Sequence, residues 1–411
     1  MKIILEAVCV LMWVWPHGAT AGEAPKPAPE ITAAGLAANL KSEDMEVRRT
    51  AAEELGWLAT ADAIPFLEKA ARDAVEDVCW QAAWSLGAIG TPEAAAALAR
   101  LVDDPAYPHR KTASYELGST ATPAQKETLL RMLPSPEPDL RRDAAIGLDR
   151  IGARDALPGL VKLLSDEDFV VRRYAVRAVF ALGGPGELEA VKARYPVEDD
   201  PEAKVYLAGA MARFGDRSTL ETLRGFLKAD EFYVREGAAV VLGAIGDPKA
   251  IPWLEEAVKD ETTDVAAAAV VALSLLKAEG ATALFFRMIE DPGNDVLRLS
   301  VASRFPDAGL EGAVPRLVKA MEDPDGFTRV PVYKALRKVG AGNPEVIRAF
   351  VQKLTPGNPS GDLDHVLPAL AVLGDGSALP ALAAVAAGPD RKHAIMAAGA
   401  IQRIRERSPR P

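Results

Sequence analysis

The side chains able to do acid–base, nucleophilic or metal chemistry are few in this sequence and scattered. There are four histidines, His17, His109, His365 and His393; no two stand at a His-x-x-x-His spacing and none adjoins a glutamate. A zinc or di-iron centre needs several ligands converging on one point, so no metal or cofactor is expected. The sequence shows no Gly-x-Ser-x-Gly elbow, no P-loop, and no Gly-x-Gly-x-x-Gly after a strand. Acid pairs such as Asp103–Asp104 and Asp199–Asp200 fall between helical segments, where they suit capping and solvation better than a catalytic dyad. The expectation is a chain with no catalytic residues, one that is not an enzyme.

A constellation suited to recognition is easier to find. Trp80, Trp84, Lys111, Tyr115, Arg142, Arg173 and Arg177 are of the types enriched at binding hot spots, in a chain with only 6% aromatic residues. If they share an open face, they form a candidate partner site for a protein or peptide, either acidic or extended. The bland alternative is that curvature tucks these side chains against adjacent helices, or that the arginines are a solvated face.

The elements that would carry them follow from a repeat. The run Val47-Arg48-Arg49-Thr50-Ala51-Ala52 ending in Leu55-Gly56 recurs around Leu140-Arg141-Arg142 and Val234-Arg235. Aligned on Arg48, the copies place Cys79, Arg110, Arg141, Arg172, Lys204, Arg235, Ala266, Leu297, Arg329, Leu363 and Ala394 in the same slot. Successive copies are 31 or 32 residues apart, with one step of 34. Self-similarity at one period outranks any local reading. Apolar residues at Val47, Ala51, Ala52, Leu55 and Leu58 mark one face of a helix. Opposite that face lie Arg49 and Glu53 and their equivalents, which in the next copies are Trp80, Trp84, Lys111, Tyr115, Arg142, Arg173 and Arg177. Copies six to eight carry Val205, Gly209, Glu236, Val240, Ala267 and Val271 in those slots, which suggests a second contact surface, a dimer seam or, more simply, buried packing.

A second helix in each copy is signalled by Pro65, Pro158, Pro252, Pro315 and Pro380, because proline is tolerated in a first helical turn. Gly215-Asp216, Gly246-Asp247 and Gly374-Asp375 read as a left-handed helix stop followed by an N-cap. Two such helices cannot bury an apolar face alone, so twelve stacked copies are expected over residues 31–411. The fold class is all-α, an α-α superhelix, on the order of 100 Å long and gently curved.

The pattern Asp, turn, Val-Arg-Arg-x-Ala-Ala-x-x-Leu-Gly, then Asp-x-x-Ala-Ile-Pro-x-Leu resembles the HEAT-like repeats named after the phycobiliprotein lyases, within the armadillo/HEAT type of solenoid. The resemblance implies that the Val47-type helices line the concave surface. It also implies an acid six residues before each repeat arginine, as in Asp104 and Arg110, Asp166 and Arg172, and Asp323 and Arg329, with Glu198 before Lys204. We read these as a structural ladder tying each turn to the neighbouring repeat, broken where Cys79, Ala266 and Leu297 fill the basic slot, with Cys79 a packed, inert substitute. The leading function is an exported interaction scaffold. The alternatives are a bilin-lyase-like or other HEAT-fold enzyme, and a HEAT-type nucleic-acid binder.

Composition bears on these. The net charge of −10 repels phosphate backbones, so nucleic acid is a poor partner. Residues 1–21, with Lys2, an apolar stretch from Ile3 to Trp15 and the small-x-small Ala19-Thr20-Ala21, read as a cleaved export signal directing the chain to the periplasm or beyond. Glu6 interrupts the stretch, which is too short to span a bilayer comfortably. Residues 22–30 form a Pro/Ala-rich tether. Once the signal is lost Cys79 stands alone, and no internal disulfide is possible.

Overall fold

The computed structural model describes residues 31–291, 293–305, 312–354 and 360–407; the export signal and tether expected over 1–21 and 22–30 lie outside them. Twenty-four α-helices and no strands occur among the described residues, in twelve two-helix repeats. In the first repeats the inner helices are Met45–Leu58, Glu76–Ile89, Arg110–Thr120, Pro138–Arg150 and Phe169–Leu182, and in the last two they are Ser360–Leu373 and Arg391–Arg407. Outer helices start where expected: Pro65, Pro158, Pro252 and Pro380 lie in the first turns of Ile64–Ala70, Leu157–Leu163, Ile251–Ala257 and Leu379–Ala386. Gly215 and Gly246 take positive φ, and Asp216 and Asp247 cap the next turn. Gly374 does not take positive φ. A side chain there would strike the Leu370 carbonyl and Ile404, so tight packing explains that glycine.

The Ala pairs Ala51–Ala52, Ala82–Ala83, Ala144–Ala145 and Ala238–Ala239 are all buried, as are Leu55, Leu86, Leu117, Leu148 and Leu242. Burying each leucine contributes about 2 kcal/mol. Small residues let consecutive inner helices approach closely. Gly56 is one case, because a Cβ there would run into Ser85 of the next inner helix, whose hydroxyl donates to the Ala52 carbonyl at 3.0 Å. Every inner helix packs on the next, whereas outer helices touch one another much less, so each repeat is a wedge.

The wedges accumulate into a closed ring. The gently curved open array expected from the repeat is corrected: the last inner helix, Arg391–Arg407, packs directly on the first, Met45–Leu58. A full turn over twelve repeats needs only about 30° per repeat, within the range that solenoid curvature supplies. At the seam Gly399 lies against the Leu58 backbone so tightly that any side chain would collide with it. Arg391 clasps the buried Glu54 carboxylate, with Nη2 at 2.9 Å, and Arg403 donates to the Ala59 carbonyl. Ile395 of the last repeat belongs to the same apolar core as Ala33, Leu55 and Leu58 of the first.

The arginine ladder is real and runs between repeats. Arg48 binds Asp73 at 2.8 and 3.0 Å, Arg141 binds Asp166 at 2.7 Å twice, and Arg235 binds Asp260 at 2.8 and 3.0 Å. The same guanidinium ties its own turn: Arg141 Nη1 donates to the carbonyls of Ser135 and Pro136 at 3.0 and 3.1 Å. Copy nine does not break the ladder. Arg298, one residue after Leu297, is buried and reaches Asp323 instead. Copy two does, and Cys79 fills the slot: its buried thiol donates to the Asp73 carbonyl at 3.0 Å, and burial pushes its pKa up. Asp104, which an arginine there would have held, is taken by Arg72 at 2.5 Å.

Among the described residues, the Glu116 carboxyl is buried with no cation in ion-pair distance. Glu116 sits against Gly87, which leaves the only room for it, and burial first and Asp143 second raise its pKa from 4.5 to about 7. A carboxyl raised in this way contributes fully below pH 4.5 and loses that contribution as the pH climbs through about 7.

Three outcomes follow. Arg141→Ala should lower stability by about 3 kcal/mol, because the Asp166 carboxylate is left buried and unpaired, and Arg141→Ala with Asp166→Ala should recover part of the loss in thermal melts. Glu116→Gln should melt like the parent at or below about pH 4 and be the more stable by up to about 3 kcal/mol at pH 8. Gly399→Val should cost about 2 kcal/mol and raise the radius of gyration in small-angle scattering as the seam is pried apart.

Candidate functional site

The inner wall, the side of the inner helices turned away from the outer row, carries the expected aromatic residues. Helix Glu76–Ile89 buries Val78, Cys79, Ala82, Ala83 and Leu86, which leaves Trp80 and Trp84 one turn apart on the open face. They are 52% and 42% exposed, and Tyr115 on helix Arg110–Thr120 is 59% exposed.

The basic members of the constellation are engaged within the protein. Lys111 Nζ lies 3.0 Å from Asp139, and Arg142 bridges Asp139 and Asp143 at 2.9 and 2.8 Å. Asp143 also accepts from the Ser114 hydroxyl at 2.6 Å. Arg173 reaches Asp200 at 2.6 Å and Glu202 at 3.2 Å, while Arg177 lies over the rings of Tyr174 and Tyr206 with Glu202 at 3.9 Å. Carboxylates of the same repeat (Arg142) or of the following one (Lys111, Arg173, Arg177) answer these charges, which leaves little free positive field here. The slots of copies six to eight are uneven: Val205 and Ala267 are buried, Val240 is exposed, and Val241 fills the space above Gly209.

Closure creates a second feature. A cavity of about 270 Å³ opens on the inner wall at the seam, with Trp57 and Ala59 from the first repeat, Trp84 from the second, and Arg337, Asp364, Pro368, Lys392, Met396 and Arg403 from the last three. Lys392 Nζ is 2.8 Å from Asp364 and 5.8 Å from the centre of the Trp57 ring. His393, buried beneath, shares Asp364 at 3.1 Å and has Asp390 at 3.2 Å. Burial first, then the neighbouring Arg337 and Arg407, depress the Arg403 pKa below the ordinary guanidinium value.

His109 ends the turn before its helix, edge-on to Tyr107 at 5.8 Å, and His365 stacks on Tyr333 with its pKa lowered mainly by burial. Among the described residues no three His, Cys, Asp or Glu side chains gather as a metal cluster. Sequence reasoning missed the exposed Phe169, Phe232, Tyr233 and Phe327 at the starts of inner helices, although all four stand two or three places before a repeat arginine. It also missed the seam cavity, for which no local signal exists.

A family profile described as HEAT repeats matches residues 33–118, 126–204 and 197–274. Deoxyhypusine hydroxylase of Drosophila melanogaster is 34% identical over 106 residues, 25% of this chain and 35% of that protein, so the match spans about a third of the relative's length. Among solved structures, the complex of CpcE and CpcF of phycocyanin lyase from Nostoc sp. PCC7120 is 21% identical, covering 65% of this chain and 97% of that one with a TM-score of 0.40. Human deoxyhypusine hydroxylase is 19% identical over 60% of this chain and 96% of that one, with a TM-score of 0.28.

The expectation that the chain is not an enzyme is overturned by the Drosophila relative, which bears an enzyme's name. Motif searching tests only residues close in sequence, whereas a solenoid assembles sites from side chains on separate repeats, and one fold hosts both binding and catalysis. The matched stretches span more than half of the sequence and coincide with the hairpins and their arginine ladder, and the chain belongs to the HEAT-repeat family.

Proposed function

We propose that this HEAT-repeat ring binds an extended segment of a partner protein along its inner wall, with Trp80, Trp84 and Tyr115 as anchors and Lys111, Arg142, Arg173 and Arg177 as a hydrogen-bonding flank. The observation that carries this is the exposure of two indoles and a phenol, adjacent on neighbouring inner helices, in a chain poor in aromatic residues. Large aromatic side chains left in water on a concave surface are typical contact residues. The ion pairs along the flank hold the arginine and lysine side chains in fixed positions, which reduces the entropy lost on binding.

We further propose that the chain acts outside the cytoplasm, its first 21 residues serving as an export signal. No helix among the described residues is long and apolar enough to cross a membrane. The net charge of −10 supports a protein partner over nucleic acid.

Peptides selected from a library against the full chain should quench or blue-shift its tryptophan emission. Trp80→Ala with Trp84→Ala should weaken them at least tenfold, about 1.4 kcal/mol or more, with an unchanged circular dichroism spectrum. Equal affinity in the double variant would remove the anchors from the proposal.

A further inference from the structure

The seam cavity has a chemistry of its own. Three cations, Arg337, Lys392 and Arg403, line it against one acid, Asp364, in a protein whose overall charge is strongly negative. Asp364 is already divided between Lys392 and His393. Arg403 spends a donor on the Ala59 carbonyl, and neither it nor Arg337 has an acid within ion-pair distance among the described residues. Arg407 adds further positive charge close by, with two donors committed to the carbonyls of Val372 and Gly374 at 2.7 and 3.1 Å. Along the repeats of Lys111, Arg142 and Arg173 the cations are matched by carboxylates of the same or the next repeat; Arg337 and Arg403 lack such a match among the described residues.

The rest of the lining is apolar and flat: Trp57, Trp84, Pro368 and Met396. At about 270 Å³ the space lies near the lower end of small-molecule sites, enough for two or three linked or fused rings and too small for a folded segment. Indole faces beside guanidinium groups favour a planar apolar body carrying an anionic group. We propose that this cavity is a binding site for a small amphiphilic organic anion, its flat body against Trp57 and Trp84 and its anionic group toward Arg337 and Arg403.

The walls come from both ends of the chain, so an occupant touches the first two and the last three repeats at once. A ligand that binds only the closed ring stabilises closure by mass action. The site does not depend on the partner-segment reading, with which it shares only Trp84.

The probe is 8-anilinonaphthalene-1-sulfonate, titrated by fluorescence into the full chain, with neutral N-phenyl-1-naphthylamine alongside. The sulfonate should saturate at one site per chain, weaken as salt is raised, and raise the melting temperature. Arg337→Glu removes an exposed, unpaired side chain and should weaken the sulfonate at least tenfold without affecting the neutral probe, and Arg337→Gln should fall between. Trp80→Ala, which removes a residue outside the cavity, should leave sulfonate binding unchanged even where it abolishes partner binding. Non-saturable sulfonate binding, equal binding of the neutral probe, or indifference to both Arg337 variants would each overturn the proposal.

Discussion

A hairpin of two short helices exposes more apolar surface than it hides, and every feature of this protein follows from how that surface is covered. Each repeat leans on the one before and the one after. In an open solenoid the terminal repeats must carry a polar outer face, but here the first and last repeats cover one another, and the core runs on through Ile395. The covalent chain is absent at only one junction of the ring. There, Gly399 against the Leu58 backbone and Arg391 on Glu54 take its place.

Curvature is a matter of which side chains sit between neighbouring helices. Alanine and glycine on the inner row bring those helices close, while the outer row stays spread. The arginine ladder adds direction to this packing. Each guanidinium is tied at once to its own turn and to the carboxylate of the next, so a repeat that slipped along or rotated against its neighbour would strand a buried charge. Such pairs add little net stability over a well-packed apolar contact; their value lies in setting register. In two copies that lack the arginine in this slot, local substitutes appear: Cys79 fills the volume and Arg72 takes the carboxylate in one, and Arg298 reaches the same position from one residue later in the other.

The inner wall is electrostatically uneven. Along the repeats of Lys111, Arg142 and Arg173 each cation meets acids, and the surface presents aromatic faces and fixed hydrogen-bonding groups with little net field. At the seam, cations from the tenth and twelfth repeats crowd together, and burial first, then Arg337 and Arg407, lower the Arg403 pKa against the opposing charge of Glu406. The recognition chemistry of the two regions differs for that reason. One suits an extended chain, the other a compact anion.

The repeat period, the helix boundaries, the Ala-rich contacts and the ladder were all legible in the linear sequence, because each is set by residues within one repeat or its neighbour. The exposure of Trp80, Trp84 and Tyr115 was legible too, since helical periodicity alone turns them away from Val78, Ala82 and Ala113. The exposure of Val240 beside the buried Val205 and Ala267 in equivalent slots was not, because small rotations of successive helices add up along the row. Nor was the pairing of Arg173 with Asp200 and Glu202, which depends on the angle between two inner helices. The ring itself lay furthest out of reach. Whether about 30° per repeat closes a circle depends on the sum of twelve small angles, and no single repeat encodes that sum. Thus Glu54 and Arg391, 337 residues apart, meet only in three dimensions, and with them the seam cavity.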